Sequence, residues 1–198
     1  MKKFSYIIIG IGLTLVIFAI SLVTFSNYTY KRLINSFEEN KDNISFLEDI
    51  KNNENKEKSE ITEEMIGLIK IPSIDLKYPI LEGTENKILK QSVGHFESTS
   101  LPGESGNMTL IGHNNFILSE PFKNLDKVSI GELITISTTQ KDYKYEVIKS
   151  YTVDPYDKSI VKSSEDTKLT LVTCTDDASE RYILEALLIS EDDDKNKK

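Results

Sequence analysis

From Phe4 to Phe25 the chain runs for 22 residues without one charged side chain, directly after the basic start Met1-Lys2-Lys3. A helix rising about 1.5 Å per residue covers roughly 33 Å over that length, and the hydrocarbon core of a bilayer is about 30 Å thick. A cleavable secretory signal has a shorter apolar run followed by a small-x-small site. Here the run is long, and Val23-Thr24-Phe25-Ser26 is a poor cleavage site. The expectation is therefore an uncleaved transmembrane signal anchor over residues 1–25, with a buried globular helix as the competing explanation. Lys31 and Arg32 follow the span much as Lys2 and Lys3 precede it. Charge asymmetry thus gives only a slight preference for an N-terminus inside.

Beyond the apolar run the chain changes texture twice. Residues 26–60 are polar and rich in Asn, Lys and Glu. Leu33, Phe37, Ile44, Leu47 and Ile50 fall near helical spacing, which predicts a short amphipathic helix. Asn52 to Glu60 carries no apolar residue and reads as a flexible linker. This segment is expected to act as a stalk. From Ile61 to Ser190 apolar residues come in short clusters punctuated by Gly and Pro. About 130 residues suffice for a single core. Residues 191–198 read as a charged tail.

The clusters predict strands over Ile66–Ile71, Pro79–Glu82, Asn107–Gly112, Leu133–Thr138, Tyr143–Val153, Leu169–Cys174 and Arg181–Ser190. Short helices are expected over Glu85–Gln91, capped by Thr84, and over Pro121–Val128. Many short strands with few helices indicate an all-β barrel or sandwich.

Charge and rare residues narrow the function classes. The net charge is −8 and no basic stripe interrupts it, which argues against nucleic acid as a partner. A single cysteine, Cys174, excludes an intramolecular disulfide and a four-cysteine metal site. A zinc site would need Cys174 together with both histidines, His95 and His113, and is disfavoured.

Three residues stand where chemistry is available. Cys174 ends the run Leu169-Thr170-Leu171-Val172-Thr173-Cys174 and is followed at once by Thr175-Asp176-Asp177. A buried, inert strand cysteine is the commoner role for this residue type. Its position at a strand exit, and its lack of a partner in an extracytoplasmic chain, point instead to a reactive thiol. His113 likewise ends an apolar strand and opens a polar loop. His95 is the competing histidine, expected in a loop after a short helix. Arg181 comes seven residues after Cys174. If its strand pairs antiparallel with the Cys174 strand, the intervening loop returns it near the thiol. The alternative is a surface arginine paired with Asp176, Asp177 or Glu180, worth at most about 1 kcal/mol.

These segments carry a family resemblance. Thr170-Leu171-Val172-Thr173-Cys174 resembles the T-L-x-T-C signature of sortases. Ile111-Gly112-His113 resembles their strand-to-histidine segment, Leu101-Pro102-Gly103-Glu104-Ser105-Gly106-Asn107 the stretch before it, and Gly67–Pro72 the opening strand. The likeness runs in order from about Ile66 to Ile189. It implies a closed eight-stranded β-barrel behind a membrane anchor, in a Gram-positive cell envelope, with no obligatory cofactor. It implies a cysteine transpeptidase that cleaves an L-P-x-T-G-like sorting signal between Thr and Gly and passes the acyl group to a cell-wall precursor amine. Cys174, His113 and Arg181 would be the catalytic residues, with Thr173 supporting substrate or strand. The barrel would then face the outside of the cell and the N-terminus the cytoplasm.

The segment between the Tyr143 and Leu169 strands is too short for the subclass with a long inserted helix. No lid segment or second apolar span is evident, so the chain most resembles compact A- or D-type enzymes. Some relatives bind calcium near the substrate groove. Asp154, Asp157, Glu97 and Glu104 are the acids placed for it, although scattered surface acids are the commoner reading. A Cys/His hydrolase using water, and a membrane-tethered binding module with an inert Cys174, are the alternatives.

Overall fold

The strand at Met65–Ile71 (β1) shows how the sequence pattern builds the molecule. Side chains alternate across a strand, so Ile69 and Ile71 point to one face and Leu68 to the other. Ile69 and Ile71 are wholly buried in the main core. Leu68 faces outward, yet is only 1% exposed, because a helix covers it. Pro72 cannot donate to the ladder and closes β1, opening a one-turn 3-10 helix over Pro72–Ile74.

The computed structural model describes residues 2–47, 65–114 and 120–193. After β1 come β2 (Leu76–Glu82), β3 (Val93–His95), β4 (Gly106–Ile111), β5 (Leu133–Ser137), β6 (Lys141–Val153), β7 (Thr167–Cys174) and β8 (Arg181–Asp193). They close into a barrel in the order β1-β2-β3-β4-β7-β8-β6-β5. β2 pairs with β3, and β4 with β7, in parallel; every other neighbouring pair is antiparallel. Closure removes sheet edges. One apolar cluster fills the interior, with Ile80, Met108, Leu110, Phe122, Tyr145, Leu171 and Leu184 each no more than 1% exposed. The expected all-β class is thus a barrel and not a sandwich.

Several local expectations are corrected. The helix after β2 is shorter than Glu85–Gln91: α2 covers Asn86–Leu89, and its N-cap is Glu85, without a side-chain cap from Thr84. Pro121–Val128 does not form one helix. Its backbone bonds link residues three apart, and only Leu125–Lys127 is helical, as a 3-10 turn. That spacing drops Phe122 and Leu125 together into the core, both fully buried. β8 continues to Asp193, so Glu191–Asp193 belong to the sheet opposite Lys141–Tyr143. Lys141–Glu191 and Lys144–Asp192 ion pairs line that end of the ladder. Residues 194–198 of the expected tail lie outside the described residues.

The N-terminal segment differs most from expectation. Helix α1 runs unbroken from Lys2 to Leu47, so the apolar run and the first half of the expected stalk are one element. Among the described residues no helix is long and apolar enough to cross a membrane. The linker expected at Asn52–Glu60, together with Ile50 and Ile61, lies outside the described residues. Past the apolar run, α1 docks on the barrel. Leu33, Ile34 and Phe37 are 4%, 8% and 4% exposed, and Ile34 and Phe37 cluster with Leu68. Tyr30 stacks on Tyr78 with ring centroids 4.5 Å apart and donates its hydroxyl to the Lys77 carbonyl. Glu38 pairs with Lys77. The amphipathic pattern was legible, but its partner, the outer face of β1 and β2, was not.

This docking predicts a stability cost where a simple stalk predicts none. Phe37→Ala should destabilise the folded chain by about 1–3 kcal/mol, below the range for a full core phenylalanine. In a calorimetric or circular-dichroism melt that appears as a drop of several degrees in Tm. An unchanged melting temperature would mean that the helix rests on the barrel without stabilising it.

Candidate active site

Strands β4 and β7 set the site. They run parallel, in a register that matches Leu110 with Leu171 and Ile111 with Val172. The last backbone bond between them runs from Gly112 N to Val172 O at 3.1 Å. Carrying that register two residues on brings His113 level with Cys174. Each of the two residues follows an apolar run, His113 two residues beyond the end of β4 and Cys174 as the last residue of β7. On the other side of β7, the antiparallel ladder with β8 matches Cys174 with Arg181 and Thr173 with Tyr182. The expected hairpin is present, and the Thr175–Glu180 loop closes it with a bond from Thr175 N to Glu180 O at 3.1 Å.

Side chains tie the strand ends together. The Thr173 hydroxyl donates to the Gly112 carbonyl at 2.8 Å. That use of the hydroxyl fits the strand-supporting half of the role expected of Thr173. Gly112 admits no side chain, since a Cβ there would lie 2.7 Å from Phe122 Cδ2. The buried Phe122 ring therefore packs against the backbone just ahead of His113, and its N–H donates to the His113 carbonyl at 3.0 Å. Burial lowers the His113 pKa below its ordinary 6.5, because a partly desolvated imidazole loses more in its charged form.

Cys174 is partly exposed and lines a cleft of about 720 Å³ with Thr173, Asn114, Phe122, Asp176 and Tyr182. It is therefore not a sealed core cysteine. Asn114 and Asp176 were not singled out from the sequence. Their only signal was position, each being polar and next to a strand end.

Arg181 forms no ion pair with Asp176, Asp177 or Glu180 among the described residues. Its Nη1 donates to the Glu180 carbonyl at 3.2 Å. Two of the acids in the surface-pairing alternative have other partners. Asp176 accepts from Asn114, and Asp177 accepts from the Ser179 N–H and from the Thr175 and Ser179 hydroxyls. Led by the Ser179 N–H bond, those contacts hold the Asp177 carboxyl below its usual range.

His95 is in β3 and not in a loop. It is 1% exposed, with Nδ1 donating to Glu82 Oε1 at 2.9 Å. Its Nε2 lies 3.1 Å from the Ser100 carbonyl and 3.0 Å from Thr99 Oγ1. Both ring nitrogens are thus engaged in tying β2 and β3 to the loop after β3, and of the candidate residues Cys174 and Thr173 line the cleft whereas His95, His113 and Arg181 do not.

Among the described residues no group of three or more His, Cys, Asp or Glu side chains is arranged to hold a metal. Of the acids considered for calcium, Asp154 accepts from Tyr156 N, Asp157 from Ser159 N and Glu104 from Leu101 N. Each caps its own loop.

Comparison with known proteins bears on the fold and the family. A family model for the sortase domain matches residues 69–189. Sortase D of Bacillus subtilis is 31% identical over 124 residues, covering 60% of this chain and 61% of that protein. The chain therefore spans about three fifths of the length of that curated relative. Among solved structures, a Clostridium perfringens sortase D5 transpeptidase superposes with a TM-score of 0.64 at 33% identity. That match covers 86% of this chain and 99% of that one. A lid mutant of sortase A from Corynebacterium diphtheriae gives 0.61 at 31% identity, covering 63% and 70% of the two chains. A closed eight-stranded barrel and a domain match over more than half its length together show that this chain belongs to the sortase family of cysteine transpeptidases.

Proposed function

We propose that the chain is a membrane-anchored sortase that cleaves an L-P-x-T-G-like sorting signal between Thr and Gly and transfers the acyl group to a cell-wall precursor amine. One observation supports the chemistry: the parallel register of β4 with β7, carried two residues beyond Ile111 and Val172, would set His113 level with Cys174, and β8 pairs Arg181 with Cys174. A thiol nucleophile needs a proton partner and an anion-stabilising group within one site, and this arrangement provides candidates for all three.

In the proposed cycle the Cys174 thiolate attacks the Thr carbonyl carbon. The oxyanion of the tetrahedral adduct is stabilised by the Arg181 guanidinium, swung from its Glu180 carbonyl. Collapse breaks the Thr–Gly C–N bond as protonated His113 gives its proton to the leaving amine. The thioester is then attacked by the acceptor amine, which loses its proton to neutral His113, and the thiolate is expelled. Thr173 holds the strand end beneath the reacting carbon.

Membrane anchoring rests on α1. From Ile9 to Ile20 every large apolar side chain is between 56% and 63% exposed. Such a stripe on all sides of a helix needs an apolar surround, and residues 4–25 have the length for a bilayer. Sorting signals and wall precursors lie outside the cytoplasm, so the N-terminus would be inside and the barrel outside. The clients would be surface proteins bearing a C-terminal sorting signal.

Incubation of the protein with a Leu-Pro-Xaa-Thr-Gly peptide should give a mass adduct at Cys174 that hydroxylamine removes. Cys174→Ala should keep its fold and form none. Turnover by that variant above the uncatalysed level would remove Cys174 from the nucleophile role. With an added amine such as triglycine the product should be the amine conjugate rather than the free acid.

The histidines separate cleanly by experiment. His113→Ala should abolish both acylation and transfer, whereas His95→Ala should lower thermal stability and leave most turnover. Because kcat/KM requires thiolate and imidazolium together, its pH profile should be bell-shaped. The limb on the acid side reports the imidazole, whose pKa is lowered, so its midpoint should fall below 6.5. A midpoint well above that value would contradict the burial of His113.

Arg181→Ala should lower kcat/KM about 100-fold or more, the loss of one oxyanion donor. Arg181→Lys should recover only part, since a compact ammonium lacks the planar fork. A loss below about threefold would return Arg181 to the role of a surface cation.

A further inference from the structure

His113 and Cys174 both lie past the last backbone bond of the β4–β7 ladder, where the two chains part. Gly112 N still reaches Val172 O, but Phe122 N meets the His113 carbonyl and Thr175 N turns to Glu180 O. Among the described residues no ladder bond joins the two residues proposed to do the chemistry. Two side-chain bonds tie the strand ends there, one on each side. Just before the pair, Thr173 Oγ1 donates to Gly112 O at 2.8 Å. Just after it, Asn114 Nδ2 donates to Asp176 Oδ1, also at 2.8 Å. Asn114 is only 9% exposed, and it and Asp176 both line the Cys174 cleft. A nearly buried amide joined to a carboxylate makes a stronger, more directional tie than two neutral groups would.

We propose that Asn114 is a positioning residue of the reaction: its hydrogen bond to Asp176 clamps the strand ends beyond the ladder and holds His113 in register with Cys174. The proposal rests on the reading that these two residues carry the transfer. The physical case is the steep dependence of rate on placement. A displacement of about 1 Å between reacting groups can cost about 100-fold in rate while substrate contacts are kept. Loss of the clamp should therefore appear in kcat and leave KM nearly alone. A residue that merely supports the fold would instead lower the melting temperature without that split.

The test compares acylation of Cys174 by a Leu-Pro-Xaa-Thr-Gly peptide, followed by mass spectrometry and steady-state turnover, in the full chain and its variants. An unsubstituted chain that forms no adduct defeats the catalytic reading itself, before the clamp is at issue. Given an adduct, Asn114→Ala and Asp176→Ala should each lower kcat about 10- to 100-fold with KM changed by less than about threefold. Asp176 is solvent-exposed, so Asp176→Ala provides a folded variant even if Asn114→Ala does not fold. The exchange Asn114→Asp with Asp176→Asn reverses donor and acceptor and keeps one hydrogen bond. It should recover much of the lost kcat. Folded Asp176→Ala with unchanged kcat overturns the proposal. So does a change confined to KM, or an exchanged pair as slow as the single variants.

Discussion

The parallel pairing of β4 with β7 is the constraint on which the rest of the site depends. Parallel neighbours end at the same side of a sheet, so two residues far apart in sequence can leave it together. Antiparallel neighbours cannot do this with two C-terminal ends. In this barrel the pairing aligns Ile111 with Val172, two residues ahead of His113 and Cys174, and it can form only because β5 and β6 are passed around the far side before β7 returns. The antiparallel β7–β8 hairpin then adds Arg181 by the shortest connection. One parallel and one antiparallel contact of the same strand thus bring three chain segments together at the end of β7. The buried apolar faces of those strands fix the register, because a slip of one residue would turn Leu169 and Leu171 out of the core.

Much of this was legible in the sequence where local pattern decides structure. Apolar runs ending at Cys174 and His113, with polar residues directly after, marked strand exits. The seven-residue interval to Arg181 marked a hairpin. The features that stayed hidden depended on non-local partners. His95 follows a glycine in a short segment with no periodic signal, and its place in β3 comes from the parallel bond to β2 and from Glu82. Asn114 and Asp176 become a unit only when β4 and β7 are adjacent. Thr84 has the right chemistry for a cap, but the chain enters α2 one residue later. Glu191–Asp193 look like a solvated tail until Lys141 and Lys144 are found opposite them. Phe122 and Leu125 match a 3-10 turn as well as an α-helix, and the pull of the core settles the choice.

The two histidines illustrate how environment divides one residue type into two uses. Both are near strand ends and both are largely removed from solvent. His95 has its two nitrogens committed to neighbouring oxygen atoms and serves to join β2, β3 and the loop beyond them. His113 lies just beyond the end of β4, where partial burial favours its neutral form.

Helix α1 changes how far the enzyme can reach. A flexible stalk of about 35 residues has a root-mean-square span of roughly 30–36 Å and would let the barrel wander through a deep layer. Here the helix is continuous from the apolar run to the docking residues. If Phe25 marks the bilayer boundary, Leu33 is eight residues along a helix, about 12 Å away. The barrel would then be a short rigid bracket, confined to a thin shell against the lipid surface. Clients would have to be drawn down to it, and only cleavage sites held close to the membrane would fall within its grasp.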